Sequence, residues 1–434
     1  MITPGKTAMT ANSPRLRSIL GGSAGNLVEW YDWYVYSAFA LYFAPVFFPQ
    51  GDKTAQLLST GAVFAAGFLI RPIGAWLMGI YADRNGRKSG LTLSVLLMSA
   101  GSAAIAVAPS HAKAGVFAPA ILVFARLLQG FSVGGEYGAS ATYLSEMAES
   151  RHRGFWSSLQ YVTLIMGQLV ALIVLLFLQN TMEESALEHW GWRIPFAIGA
   201  VLALIVLVLR RRLAETEQFA DAARSAGTPN SSISLLLRQH PGQAALVIAL
   251  TAGGTLAFYT YSTYMQKYLV NSAGFSRNQS SSIMTAALFV FMCLQPLFGA
   301  LSDRIGRWPV MSFFGLFGAL GTIPLFDFLG QTRDPLAAFL LVTAALFVVS
   351  GYTAINAIVK AELFPVHIRT LGVALPYAIA NAVFGGTAEY VALQLKNWGW
   401  EDAFFMYVSI MIGLSLIVYL TMSETRRDSL IDRK

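Results

Sequence analysis

The sequence predicts an all-α membrane protein: twelve transmembrane helices in two pseudo-symmetric six-helix bundles. Three observations predict it, namely composition, the placement of basic residues and an internal repeat. Of 434 residues, 55% are apolar and only 12% are charged, against roughly 25% charge in a soluble domain, and mean hydropathy is +0.56. That stock suits roughly twelve spans of about 20 residues. It excludes a water-soluble enzyme, a nucleic-acid binder and a disordered scaffold.

Apolar stretches of spanning length fall at 18–44, 57–82, 89–108, 117–146, 154–180 and 192–212, then at 243–266, 279–302, 308–329, 335–360, 370–395 and 402–422. The first follows the polar segment Met1–Arg17. It lacks the short apolar core and cleavage site of a secretory leader and is expected to act as its own uncleaved signal. Each later stretch is set off from its neighbour by a basic residue: Lys53, Arg84, Lys113, Arg151, Arg193 and Arg210 in the first half, and Lys267, Arg304, Arg333, Arg369 and Lys396 in the second. Such long, continuously apolar runs are helices, which satisfy their own backbone in lipid; barrel strands alternate over about ten residues. The polar stretch 213–242, with Glu215, Glu217, Asp221 and Pro229, reads as a linker. The expected organisation is a tail at 1–17, a bundle at 18–212, the linker at 213–242, a second bundle at 243–422 and a tail at 423–434.

With both termini in the cytoplasm, the inner segments hold 21 Lys and Arg and the outer segments 7, while Arg71 and Arg126 lie within spans. This is the positive-inside pattern, and it accounts for the net charge of +7 without nucleic acid. The two halves also repeat. Gly79-x3-Asp83-Arg84-x-Gly86-Arg87 returns 220 positions later as Gly299-x3-Asp303-Arg304-x-Gly306-Arg307. Glu146-x6-Arg153 returns as Glu362-x6-Arg369, and Trp190-Gly191-Trp192 as Trp398-Gly399-Trp400. Duplicated six-helix halves are how many secondary transporters are built. The doubled loops, with Asp83, Arg84, Arg87, Asp303, Arg304, Arg307, Glu146, Arg153, Glu362 and Arg369, are read as conformational latches at the inner surface. Gly86 permits its turn.

No Walker-type phosphate loop, Cys/His metal spacing or nucleophile–base cluster is present in the sequence. An enzyme, a metal site and ATP drive are therefore not expected. The single cysteine, Cys293, reads as a small apolar core residue.

Charges inside spans are functional candidates by default. Arg71, Arg126, Glu29 and Asp32 all fall near mid-depth, where carriers bind substrate. Arginine holds a carboxylate through two parallel hydrogen bonds and stays charged, so Arg71 and Arg126 suit a dicarboxylate. Helical spacing sets Tyr137 on the face of Arg126, and Trp33 and Tyr36 on the face of Glu29 and Asp32. Gln160, Tyr259, Asn356 and Asn381 head polar stripes on helices 5, 7, 10 and 11 and are candidate substrate ligands. Asp32, Glu29 and Glu136 are the candidate proton carriers.

The doubled G-x3-D-R-x-G-R loop, with Arg126-x2-Gln129-Gly130, resembles the major facilitator superfamily. The segments GNLVEWYDWYVYS (25–37), RPIGAW (71–76), RLLQGFSVGGEYGASATYLSEM (126–147) and ELFPVHIR (362–369) are similar to its metabolite:proton symporter family. Further segments, among them WGWRIPFAIGAVLA (190–203) and ANAVFGGTAEYVAL (380–393), narrow the likeness to the branch that carries α-ketoglutarate. The resemblance implies the major facilitator fold and proton-coupled import of a small dicarboxylate by alternating access, with protons as the coupling ion and no other cofactor. It also implies a proton-binding role for Asp32 opposite Arg126. Citrate, shikimate, C4-dicarboxylate and proline/betaine carriers share the first motifs, so those substrates are the alternatives. A transporter-like nutrient sensor is another; it would be expected to carry an added domain or long tail, and the chain ends about twelve residues past the last span. The expected partners are a small anionic substrate and the lipid bilayer, with no nucleic acid. A functional monomer in the bacterial inner membrane is expected.

Overall fold

The computed structural model describes residues 14–85, 87–134, 136–211, 233–365 and 368–431. Side chains of further helical residues also lie outside the description, those at 14–25 and 209–211 and those of Asp83, Arg84, Arg87 and Glu136 among them. The expected readings of these four are therefore carried by sequence alone.

Among the described residues twelve long helical segments succeed one another. In the first half α1 is Pro14–Phe47, α2 is Lys53–Leu69 continued by Arg71–Asn85, and α3 is Arg87–Val107. Then α4 is Phe117–Val133 continued by Glu136–Met147, α5 is Arg153–Thr181 and α6 is Ile194–Arg211. In the second half α7 is Pro241–Tyr259, a π-turn at Thr260–Tyr264 and Met265–Asn271; α8 is Arg277–Ile305 and α9 is Arg307–Gln331. Next, α10 is Pro335–Thr353 continued by Asn356–Glu362, and α11 is Arg369–Ala380, a π-turn at Asn381–Gly385 and Ala388–Asn397. Finally, α12 is Glu401–Thr421. A short helix, Ile233–Gln239, precedes α7. Among the described residues, nine helices are long and apolar enough by themselves to cross a membrane.

The helix ends follow local chemistry. Ser276 and Gln279 form a reciprocal capping box at the start of α8. Asp334 caps α10, whose first residue is Pro335, where the missing N–H costs nothing. Between α8 and α9, Gly306 has φ +102°, so a residue with a Cβ would be strained there. This is the second-half counterpart of the turn expected at Gly86.

Within halves, α1 packs on α5, α3 on α6, α8 on α10 and α9 on α12. Across halves, α5 runs along α8, α2 along α11, and α4 against α10 and α11. The α5–α8 contact is close enough that a Cβ on Gly299 would stand 2.6 Å from the Gly154 carbonyl oxygen. Small residues allow such approach where helices meet without a hydrophobic drive between them. Large apolar side chains such as Phe289, Leu297, Leu320 and Ile410 point outward, more than half exposed, as a lipid-facing belt requires.

Two sequence readings are corrected by the structure. Cys293 faces outward on α8 rather than into the core; next to lipid, an outward apolar residue costs nothing, so apolarity does not reveal direction. Lys267 and Lys360, counted as loop charges, lie inside α7 and α10 with 0% exposure. Each came from a different side of the count, so the basic bias keeps its sign. Trp192 of the repeated Trp-Gly-Trp motif is buried against Phe43, Phe47 and Phe196.

Candidate functional site

Helix α1 supplies the centre of the molecule. Its run Trp30–Tyr36 is buried throughout, and Trp33 stands between the two arginines. The Arg71 guanidinium lies 3.9 Å from the Trp33 ring centroid and 4.0 Å from that of Phe68. Arg126 lies 3.9 Å from Trp33 and 4.4 Å from Tyr36. Aromatic faces stabilise a desolvated cation electrostatically while leaving its N–H edge open. That edge is indeed open: Nε and Nη2 of both arginines are buried without a hydrogen-bond partner. Unmet buried donors are costly, and two forks of them mark a place where an anion is favoured.

Asp32 and Arg126 are not in direct contact. Arg126 Nη1 donates to Gln129 Oε1 at 2.8 Å, and Gln129 Nε2 donates to Asp32 Oδ2 at 2.8 Å. Ser102 donates to the other oxygen of Asp32 and accepts from Gln129 at 2.9 Å. The carboxylate is 1% exposed. A Cβ on Gly199 would stand 2.4 Å from its Oδ1, so α6 closes the site with a glycine. The sequence reading set Asp32 opposite Arg126 and missed Gln129 and Ser102 as intermediaries. Gln129 was visible as one turn from Arg126; Ser102, on α3, had no local signal. Glu29 is buried on the same helix.

The second half faces this centre with Tyr259 and Asn381. Tyr259 meets the Phe68 ring edge-on at 5.2 Å. Asn381 sits in the π-turn of α11 and bonds Thr255, with its Nδ2 buried and unpartnered. A π-turn inserts one residue into the helical ladder and re-aims its side chains, often at functional sites. Gln160 is buried on α5.

Tyr137, expected on the face of Arg126, and Asn356 meet each other across the halves. Tyr137 stacks on Tyr377 at 3.8 Å and 13°, joining α4 to α11. Its hydroxyl donates to Asn356 Oδ1 at 2.9 Å and accepts from Lys360 Nζ at 3.0 Å. Gly134 brings α4 close to α2: a Cβ there would be 2.3 Å from the Arg71 carbonyl oxygen.

Polar bridges between the halves flank the centre. At the end nearer the linker, Asp303 accepts from the Gly154 and Phe155 backbone N–H groups at 2.8 and 2.9 Å, capping the positive end of α5. Arg307 bonds Asp303 at 2.9 Å and Glu362 at 3.4 Å. Arg369 bonds Glu146 at 2.5 Å across the halves. Arg153 is largely buried beside this cluster. Midway along α5, Gln168 donates to the Ser262 carbonyl at 2.8 Å, and at the far end Arg277 of α8 meets Glu184 and Glu188 at 3.0 and 2.5 Å. A vestibule of about 430 Å³ opens there, lined in part by Tyr42, Lys53, Gln179 and Arg277.

Two helical halves around a buried, arginine-bearing centre, with polar bridges on either side, define a membrane transporter, not an enzyme. The chain belongs to the sugar (and other) transporter family, whose model matches residues 19–224 and 211–433, and with it to the major facilitator superfamily. The two matched stretches coincide with the repeat. It is similar to the alpha-ketoglutarate permease of Escherichia coli K12, 56% identical over 407 residues, covering 94% of this chain and 93% of that protein. A citrate-proton symporter of Salmonella typhi is 34% identical, covering 90% of this chain and 89% of that one. The proline/betaine transporter of Salmonella typhimurium is 31% identical, covering 98% and 86%. The fold matches a crystal structure of a D-xylose-proton symporter with TM-score 0.75 at 21% identity, covering 95% of this chain and 99% of that one. The chain is a multi-pass protein of the bacterial inner membrane.

Proposed function

We propose that this protein is a proton-coupled symporter that imports a small dicarboxylate, 2-oxoglutarate, by alternating access. The observation that carries the substrate is the 56% identity to the alpha-ketoglutarate permease across 94% of the chain. The chemistry supports it: two buried guanidinium groups present unmet donors, which suits a carboxylate. Both termini are cytoplasmic, so the linker end is the inner face. One copy of the chain suffices, because the centre draws on both halves of a single chain. The halves, 18–212 and 243–422, rock about the centre.

Arg71, Arg126, Tyr259, Asn381 and Gln160 serve the substrate at mid-depth, while Tyr137 and Asn356 close the inner side. Asp32 carries the proton, linked to Arg126 through Gln129. Desolvation favours the neutral carboxyl and a nearby guanidinium the ionised one. An anion that draws Arg126 away from Gln129 changes that balance and so couples the two. The membrane potential opposes a dianion by about 4.6 kcal/mol per 100 mV, twice the single-charge cost; two protons cancel the charge, and a third makes import electrogenic.

The test is uptake of labelled 2-oxoglutarate into proteoliposomes with an imposed pH gradient, with citrate, shikimate and proline as competitors. Gradient-dependent uptake blocked by unlabelled 2-oxoglutarate is expected. Uptake indifferent to the gradient removes the coupling, and preferential block by citrate, shikimate or proline reassigns the substrate.

A further inference from the structure

Lys360 is a buried cation that the scheme above does not use. It projects from the last turns of α10 with 0% exposure. Its Nζ lies 3.9 Å from the centroid of the Tyr377 ring and 4.9 Å from that of Tyr137. It donates a hydrogen bond to the Tyr137 hydroxyl, at 3.0 Å. Among the described residues no carboxylate lies within ion-pair distance of it. The contrast with Lys267 is instructive, since that equally buried ammonium holds Glu389 at 2.8 Å. A buried charge without a counter-ion is expensive, and aromatic faces offset only part of that cost.

Tyr377 connects Lys360 to the arginines. Its ring carries the ammonium on one side, and its helix, α11, packs against the part of α2 that begins at Arg71. Arg126 Nη1 is engaged with Gln129, while Nε and Nη2 of both arginines stay unmet. The buried carboxylates Asp32 and Glu29 face three buried cations, Arg71, Arg126 and Lys360, while Lys267 and Glu389 neutralise each other. Among the described residues the centre is therefore short of negative charge, and the shortage is shared between groups of the first half and a group of the second.

We infer that Lys360 is a carboxylate-binding residue of the second half, which takes one carboxylate of a small dicarboxylate while Arg71 holds the other. The inference rests on the dicarboxylate reading above. Lysine reaches on a flexible stem with rotatable donors, so it exchanges the Tyr137 hydroxyl for the anion when the Tyr137–Tyr377 stack parts. A ligand held by one half at each end ties the halves together. A monocarboxylate satisfies Arg71 alone.

The experiment measures equilibrium binding to the full chain in lipid nanodiscs, with 2-oxoglutarate and with 2-oxopentanoate, its one-carboxylate analogue. Lys360→Met is expected to weaken 2-oxoglutarate at least about tenfold and to change 2-oxopentanoate less than about twofold, with Lys360→Arg recovering most of the loss. Where Lys360→Met does not give a monodisperse protein, Lys360→Gln carries the same comparison. Equal weakening of both ligands, or of neither, overturns the assignment and makes Lys360 a strut of the inner closure. A wild-type chain that binds no dicarboxylate overturns the substrate reading itself.

Discussion

Lys267 Nζ stands 2.8 Å from the Glu389 carboxylate, and the two side chains are 0% and 4% exposed. Ser37, on the opposite half, accepts from Lys267 and donates to Glu389 at 3.3 Å. A charge pair internal to the second half is thus pinned to α1 of the first. Removing one member of a buried pair costs about 3–5 kcal/mol because the other is left uncompensated. Lys267→Met should therefore lower the thermal unfolding midpoint markedly, and Lys267→Met with Glu389→Gln should recover most of it. Equal midpoints for single and double variants would show that the pair contributes little.

The Asp32 site makes a prediction about coupling. Asp32→Asn removes the titrating group and sets an amide N–H against the donors of Ser102 and Gln129. Accumulation driven by a pH gradient should be lost while exchange of labelled for unlabelled substrate persists. Gly199→Ala, whose Cβ would stand 2.4 Å from Asp32 Oδ1, should depress the same driven uptake. Undiminished gradient-driven accumulation by Asp32→Asn would move the proton elsewhere, with Glu29 and Glu136 next in line.

The arginines make a prediction about affinity. Hydrogen bonds to charged groups contribute about 1.5–3 kcal/mol, which is about 10- to 150-fold in Kd. Arg71→Ala and Arg126→Ala should each raise the Kd for 2-oxoglutarate by that order in a titration of purified protein. Arg126→Lys keeps the charge but loses the planar fork and should recover little. A Kd unchanged in Arg126→Ala would reduce that residue to an architectural role.

The inner bridge makes a prediction about motion. Arg369 is 1% exposed, but Glu146 is 38% exposed, so solvent screens the pair. Glu146→Gln should cost under about 1 kcal/mol of stability. It should nevertheless raise amide hydrogen exchange at the inner ends of α4 and α11, because it removes a contact between halves. Unchanged exchange there, with transport intact, would mean the pair does not hold the inner side closed.

Much of this was legible in the sequence. Hydropathy placed twelve spans, and the helices found overlap each of them. The repeated motifs located residues that do meet across the halves, as Asp303 with α5 and Glu146 with Arg369. The buried arginines were visible as charges in apolar runs. Less legible were the partners each candidate takes. Tyr137, set with Arg126 by helical spacing, stacks on Tyr377 and bonds Asn356 from the other half. Lys267 and Lys360 were mistaken for loop charges because a lysine near a span end ordinarily reaches water; here neighbouring helices cover both. The π-turns of α7 and α11 had no local signature.

Sequence by itself determined the membrane setting, the helix count and the duplication, because apolarity, flanking charge and repeated motifs are properties of contiguous residues. Tertiary structure alone decided which partner each buried charge takes. Gln129 meets Asp32 from 97 positions away, and Ser37 meets Glu389 from 352. Inside a low-dielectric layer the energy of an ion depends on the few ångströms around it, and those neighbours arrive from distant parts of the chain.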